Sequence, residues 1–207
     1  MRTSDAYGSL LALGRPVVET REAAARLGTS LTNASRILRA LDEAGLARRI
    51  RRGVWALDPE VDPFVVAPYL TAPFPAYVSF WSALARHDMI EQIPRSIFVA
   101  SLDRTKDLST PIGAFSIHHL APEVFGGFDA TPHTGYLATP EKALFDTVYA
   151  RVPRGGRVYL PELSLPHGFE TAQVECWTEK IARPRLRTLV SRELAAVLSQ
   201  ADAGASV

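Results

Sequence analysis

A single cysteine, Cys176, leaves the chain with no internal disulfide to make, so nothing in it asks for an oxidising compartment. Cys176 is expected to be a reduced, buried thiol. No uninterrupted apolar run approaches the roughly 18 residues of a membrane span. The first ten residues, MRTSDAYGSL, lack the charged-then-apolar layout of a signal peptide, and a cytoplasmic location is expected. Lysine is scarce: 20 of the 23 cationic residues are arginine, a bias that a G+C-rich genome produces as readily as a function does. The chain has no CxxC or HExxH metal pattern, no GxSxG nucleophile turn and no glycine-rich phosphate loop. No metal, no cofactor and no catalytic residue is therefore expected, and the chain is not read as an enzyme. Trp55, Trp81 and Trp177 are assigned to packing.

Charge is present but unevenly placed. Residues 1–58 hold 10 Arg against 6 acids, and residues 59–207 hold 13 Lys+Arg against 16 acids, on a chain of net charge +1. The sign changes at DPEVDPF, Asp58 to Phe64, where two prolines and three acids interrupt regular structure. A linker or junction is expected there. It would separate a basic domain, 1–58, from a larger, mildly acidic domain, 59–207, with different partners.

In the first part, Ser4–Leu13 reads as a helix with Tyr7, Leu10 and Leu11 inward. Val17-Val18 reads as a short strand, and Arg21–Leu27 as a helix capped by Thr20 and closed by Gly28. Thr29 and Ser30 are placed to cap a third helix, Leu31–Ala44. Its Leu31, Ala34, Ile37, Leu38 and Leu41 fall at helical spacing in one apolar stripe. The other face carries Thr32, Asn33, Ser35, Arg36 and Arg39. Leu46–Ile50 and Val54–Leu57 follow as a hairpin turning at Arg52-Gly53. Helix, strand, helix, tight turn, helix and hairpin in that order predict a winged helix-turn-helix, whose third helix enters the DNA major groove. Asn33 suits a bidentate contact to adenine and Arg36 one to guanine. Thr29, Ser30, Thr32 and Ser35 suit phosphates or bases, and Arg39 either a phosphate or solvent. Arg48, Arg49, Arg51 and Arg52 then lie on the hairpin, where a polyanion would touch them. The bland alternatives are a solvated polar helix face and a hairpin that serves solubility or protein contacts.

From Phe64 onward, strand-like runs (Ile97–Ser101, Ile112–Ile117, Leu163–Leu165) mix with helix-like ones. The helices are Ser79–His87, Pro140–Ala150, Thr171–Ile181 and Pro184–Gln200, with ADAGASV as a frayed tail. Thr139-Pro140-Glu141 is a helix start with hydroxyl cap, proline and acid in order. Ala143, Leu144, Thr147 and Val148 are expected to face inward. The order lacks regular βαβ alternation, so the fold class is α+β: an N-terminal winged helix-turn-helix followed by a larger mixed α+β domain. His118 and His119 would point to opposite strand faces and cannot easily share a metal. His87, His133 and His167 are scattered in loops. Glu141, Lys142 and Asp146 are read as helix-terminal charge with a surface salt bridge of little worth.

Several stretches together resemble the AbiEi-type antitoxins, the regulator half of the type IV toxin–antitoxin pairs. They are GVWAL at Gly53–Leu57, DPFVVAPYL at Asp62–Leu70, YVSFWSALARHDMIEQIP at Tyr77–Pro94 and IFVAS at Ile97–Ser101. ATPEKALFDTVY at Ala138–Tyr149 and YLPELSLP at Tyr159–Pro166 follow. The resemblance implies a winged helix that binds repeats in the promoter of its own operon and represses it. It also implies a second domain needed to counter a nucleotidyltransferase-like toxin, with direct contact left open. The basic segment 184–200, with Arg185, Arg187 and Arg192 just past Arg183, matches none of these motifs. Its expected role is a solvated face, a second DNA-touching surface or a toxin dock. A monomer or weak dimer is expected. The alternative is a ligand-responsive one-component regulator that holds a small molecule within residues 64–170. An enzyme fused to a DNA-targeting module would need convergent, perturbed titratable groups.

Overall fold

The computed structural model describes residues 3–131, 135–160 and 162–204, so His133 lies outside the described residues. The chain is mixed α+β. It begins with α1 (Thr3–Leu11), β1 (Val17–Glu19), α2 (Thr20–Arg26), α3 (Leu31–Glu43), β2 (Arg48–Arg51) and β3 (Val54–Ala56). The three strands form one antiparallel sheet in the order β1-β3-β2.

Local chemistry explains these boundaries. The cap of α2 is Glu19 rather than Thr20: Glu19 and Glu22 form a reciprocal capping box. Thr20 is already helical, and its Oγ1 accepts a 3.0 Å hydrogen bond from the Trp55 indole. Ser30 caps α3, its Oγ accepting from the Asn33 amide at 3.2 Å. Ala34, Leu38 and Leu41 are fully buried, but Leu31 is 59% exposed. The first turn of α3 projects beyond the helices it packs on, so the apolar stripe begins at Ala34. Leu11, expected inside, is 47% exposed, and Ala6 takes the inner position beside Leu10.

The small sheet is buried on both faces. Val18, Trp55 and Leu57 pack with α1–α3, while Val17, Val54, Ala56 and Ile50 belong to the core of the second half. Strand alternation alone distributes them, since neighbouring side chains leave opposite faces. The stretch 58–64 is accordingly a packed corner. Val61 joins the larger core, and Asp62 caps α4 (Pro63–Val66), accepting from the Phe64 amide at 2.9 Å.

After a 3₁₀ turn at Ala67–Leu70 come β4 (Ala76–Val78), α5 (Phe80–Arg86), β5 (Ile97–Ser101), β6 (Lys106–Thr110), β7 (Gly113–His119), β8 (Phe128–Thr131) and β9 (Gly135–Ala138). They form a six-stranded mixed sheet in the order β6-β7-β5-β4-β9-β8. Three helices follow: α6 (Pro140–Arg151), α7 (Thr171–Glu179) and α8 (Pro184–Gly204). The Thr139 hydroxyl caps α6 and accepts from the Lys142 amide at 3.3 Å. Residues 163–165 form no strand, and Leu163 reaches the core from an irregular segment. The last helix does not fray at Gln200, because Val197 and Ala201 anchor it on the core. No described helix is long and apolar enough to cross a membrane. Cys176 is exposed on α7, whose inward positions are Val174 and Thr178, four residues apart.

Candidate nucleic-acid interface

The start of α3 is a chain of side-chain hydrogen bonds. Asn33 Nδ2 donates to Thr29 Oγ1 at 2.7 Å, and Arg36 Nη2 donates to Asn33 Oδ1 at 2.9 Å. Together the two contacts use one of the two donors and one of the two acceptor sites of the Asn33 amide. One of each is left over, which is what a bidentate contact to adenine requires. Thr32 and Arg36 are exposed beside it, and Ser30 lies next to them with its hydroxyl engaged in the cap.

The hairpin has its own irregularity. Arg48 pairs with Ala56 and Arg49 with Trp55; the register then shifts, so that Arg51 pairs with Val54. The extra residue, Ile50, turns inward, leaving Arg49 and Arg51 both at the surface. The Arg49 guanidinium stands 5.8 Å from the Trp55 ring centroid, and Arg51 donates to the Tyr69 carbonyl at 3.3 Å. Arg52 is exposed at the turn, where Gly53 takes φ +81°.

Between α3 and this hairpin runs a groove of about 790 Å³. Ser35, Arg39, Arg49, Arg51 and Arg52 line it, so five of the expected residues converge there. Thr29, Ser30, Thr32, Asn33 and Arg36 make a separate cluster at the head of α3, outside the groove lining. Arg48 belongs to neither: it is half-buried, on the sheet face opposite Trp55. The groove also takes in Leu31 and Arg21, which the apolar-stripe and helix assignments hid. An apolar residue at the first helical position, just after the cap, is the one sequence signal that Leu31 faces outward. Among the described residues, no salt bridge engages Arg36, Arg39, Arg48, Arg49, Arg51 or Arg52. Of the nearby carboxylates, Glu22 is paired with Arg15 at 3.0 Å and Glu19 with Arg21 at 2.7 Å, while Asp42 accepts from the Arg49 backbone amide at 3.4 Å.

The second half concentrates its charge differently. Lys142 and Asp146, one turn apart on α6, are a fully buried ion pair with 0% side-chain exposure on both sides, not a surface pair. Asp146 Oδ2 also accepts from the Tyr77 hydroxyl at 3.0 Å and the Ser79 hydroxyl at 2.7 Å. The Lys142 ammonium lies 4.9 Å from the Phe145 ring centroid and 4.7 Å from that of Trp177. Burial pushes the Asp146 carboxyl up and the Lys142 ammonium down, and each partner opposes the other's shift. The Tyr77 phenol is pushed up by the same burial and by the Asp146 charge. Gly127 makes the enclosure possible: a Cβ there would sit 2.5 Å from the Trp177 ring and 3.0 Å from the Lys142 stem. The sequence misled because Lys142 and Asp146 look like ordinary helix-surface charges. The signal is that α6 is apolar on the sides flanking them, so both fall on buried flanks.

The remaining candidates are dispersed. His118 and His119 leave opposite faces of β7: the first packs between Phe80 and Phe98, and the second is exposed. His87 is held at 2.7 Å from the Ala138 carbonyl. Among the described residues, no three His, Cys, Asp or Glu side chains come together to hold a metal ion. On the basic segment around α8, Arg187 is committed to the Ile181 carbonyl through two hydrogen bonds of 2.9 and 2.7 Å, while Arg183, Arg185 and Arg192 are exposed. No protein-family model matches the chain, and no curated protein matches it either.

Proposed function

We propose that residues 3–57 act as a winged helix-turn-helix on duplex DNA and that the chain is an autorepressor and antitoxin of the AbiEi kind, set against a nucleotidyltransferase-like toxin. The observation that carries the DNA reading is the groove between α3 and the hairpin. Arg39, Arg49, Arg51 and Arg52 line it without a salt bridge among the described residues, and Glu19, which also lines it, is paired with Arg21. Guanidinium groups held together against their mutual repulsion need anions, and duplex phosphates supply them at regular spacing. Phosphate contacts would set the register, and the Thr29–Asn33–Arg36 chain at the head of α3 would read base edges. The antitoxin role rests on the resemblance of the second half, whose ATPEKALFD segment builds the buried pair of α6.

A gel shift with the chain's own upstream region tests the DNA reading. Arg49→Ala with Arg52→Ala should weaken operator and random duplex alike. It should also flatten the dependence of log K on log salt, by up to about 0.9 for each phosphate that is no longer neutralised. Unchanged affinity and slope would dispose of it. The antitoxin role is read separately, as relief of growth arrest when the chain is co-expressed with the reading frame beside its gene.

A further inference from the structure

The second half holds a cavity of about 400 Å³ for which the DNA reading has no use. Part of its lining is flat and aromatic: Phe80, Trp81 and Phe98, with His118. The His118 ring is stacked on Phe98, with centroids 5.7 Å apart and 11° between planes, and tilted against Phe80 at 5.0 Å. The rest is cationic. Arg151, Arg154 and Arg157 line it, and among the described residues none of them makes a salt bridge and no acidic side chain lines the cavity.

Two departures from ordinary packing meet at this wall. Phe80 holds φ +54°, a conformation that costs a non-glycine residue about 1–3 kcal/mol and that collects at functional sites. The His118 Nδ1 is buried without a partner. Ser116 Oγ donates to Asp107 at 2.7 Å, so at its 3.3 Å contact with His118 Nε2 it accepts, and the ring proton sits on Nε2. Nδ1 is therefore a bare acceptor left unsatisfied. A wall shaped for packing alone would carry neither feature.

The Arg151 guanidinium lies over Gly156, in the space a side chain there would take: a Cβ on Gly156 would collide with its Nε and fall 2.9 Å from its Cζ. A guanidinium fork suits the two oxygens of a phosphate or carboxylate. The volume is within the usual range for small-molecule sites, roughly 300–1,000 Å³.

We propose that this cavity binds a small planar aromatic anion, its ring against Phe80, Trp81 and Phe98 and its charged group held by Arg151, Arg154 and Arg157. The site is independent of the DNA reading, because binding is measured on the protein alone. Calorimetric titration of the full chain would use four probes: adenosine 5′-monophosphate, 4-hydroxybenzoate, inorganic phosphate and neutral adenosine. One or both aromatic anions should bind at least about tenfold tighter than adenosine, the worth of one charge-assisted hydrogen bond, and at least about tenfold tighter than inorganic phosphate, which lacks the buried ring. Whichever anion binds tighter shows which combination of ring and charged group the cavity takes. Arg154→Ala should weaken that binding at least about tenfold. Arg151→Ala should weaken it too, and both variants should melt like the parent without ligand. No saturable binding by any probe, aromatic anions no tighter than inorganic phosphate, or affinity untouched by Arg154→Ala would each overturn the proposal.

Discussion

The head of α3 and its hairpin, and the interior of α6, treat charge in opposite ways. In the first, Arg39, Arg49, Arg51 and Arg52 stand beside one groove with no salt bridge among the described residues, and the acid in its lining, Glu19, is paired with Arg21. In the second, Lys142 and Asp146 are sealed from water and from everything but each other, two hydroxyls and a ring of aromatics. An open cation costs the fold little and keeps its full interaction for a partner. A sealed pair loses the hydration of both ions, and the attraction between them recovers that only with good geometry and full hydrogen bonding. The first arrangement therefore makes sense through a ligand, the second through the fold. Tyr77 and Ser79 come from β4 and its edge and Asp146 from α6, so the sealed cluster fixes how that helix meets the sheet. The small sheet lies between the two regions and shares its faces with both cores, which makes the stability of one half matter to the other.

The largest effect that follows from this contrast is on stability. Asp146→Ala leaves the Lys142 ammonium buried without its partner and should cost about 3–5 kcal/mol in denaturant unfolding. The double change Lys142→Met with Asp146→Leu should restore only part of that: it removes both charges at similar volume but leaves the buried Tyr77 and Ser79 hydroxyls without their acceptor. A decrease below about 1 kcal/mol for Asp146→Ala, in the range of a surface pair, would erase the distinction between the two regions.

The second effect belongs to the open region and should leave stability nearly unchanged. Asn33→Ala removes a half-buried amide that bonds Thr29 and Arg36. If Asn33 reads a base, operator binding should fall by about 1–3 kcal/mol relative to random duplex, in competition gel shifts. An equal fall on both DNAs would make Asn33 a positioning residue for Arg36 rather than a reader.

What the sequence made legible follows the same division. Local signals were clear: the Ser30 and Thr139 caps, the turn at Gly53 and the Ala34–Leu38–Leu41 stripe depend on neighbours in the chain. The open arginines were legible as a cluster because charge density is visible without a fold. Their division into a groove set and a helix-head set was not, since it depends on the bulge at Ile50 and on where α3 projects. Nor was the packing of 58–64, because Val17 and Val54 read as strand residues without saying which core each face would join. The sealed pair was hidden for the same reason. The apolar flanks of α6 mark the helix as buried, but the enclosure of Lys142 is decided by Tyr77, Gly127 and Trp177, far away in sequence.

The smallest effect probes a residue between the two extremes. His118 is half-buried against Phe80 and Phe98, with the exposed Arg154 on one side and Asp107 reaching its neighbour Ser116. Burial lowers its pKa below the ordinary histidine value, the Arg154 charge lowers it further, and Asp107 partly opposes them. The unfolded chain then takes up this proton at a higher pH than the folded one does. Across that interval the unfolded state holds more protons, so stability rises with pH. The contribution is complete above about pH 6.5, the unfolded value, and is lost as pH falls through the lower folded value. Thermal unfolding followed from about pH 7.5 down to about pH 5 should show a falling melting temperature in the parent, and the fall should shrink in His118→Phe, where no proton binds. Equal pH dependence in the two proteins would mean that the ring titrates as freely as one in water, and that this aromatic wall is as open as the arginines beside it.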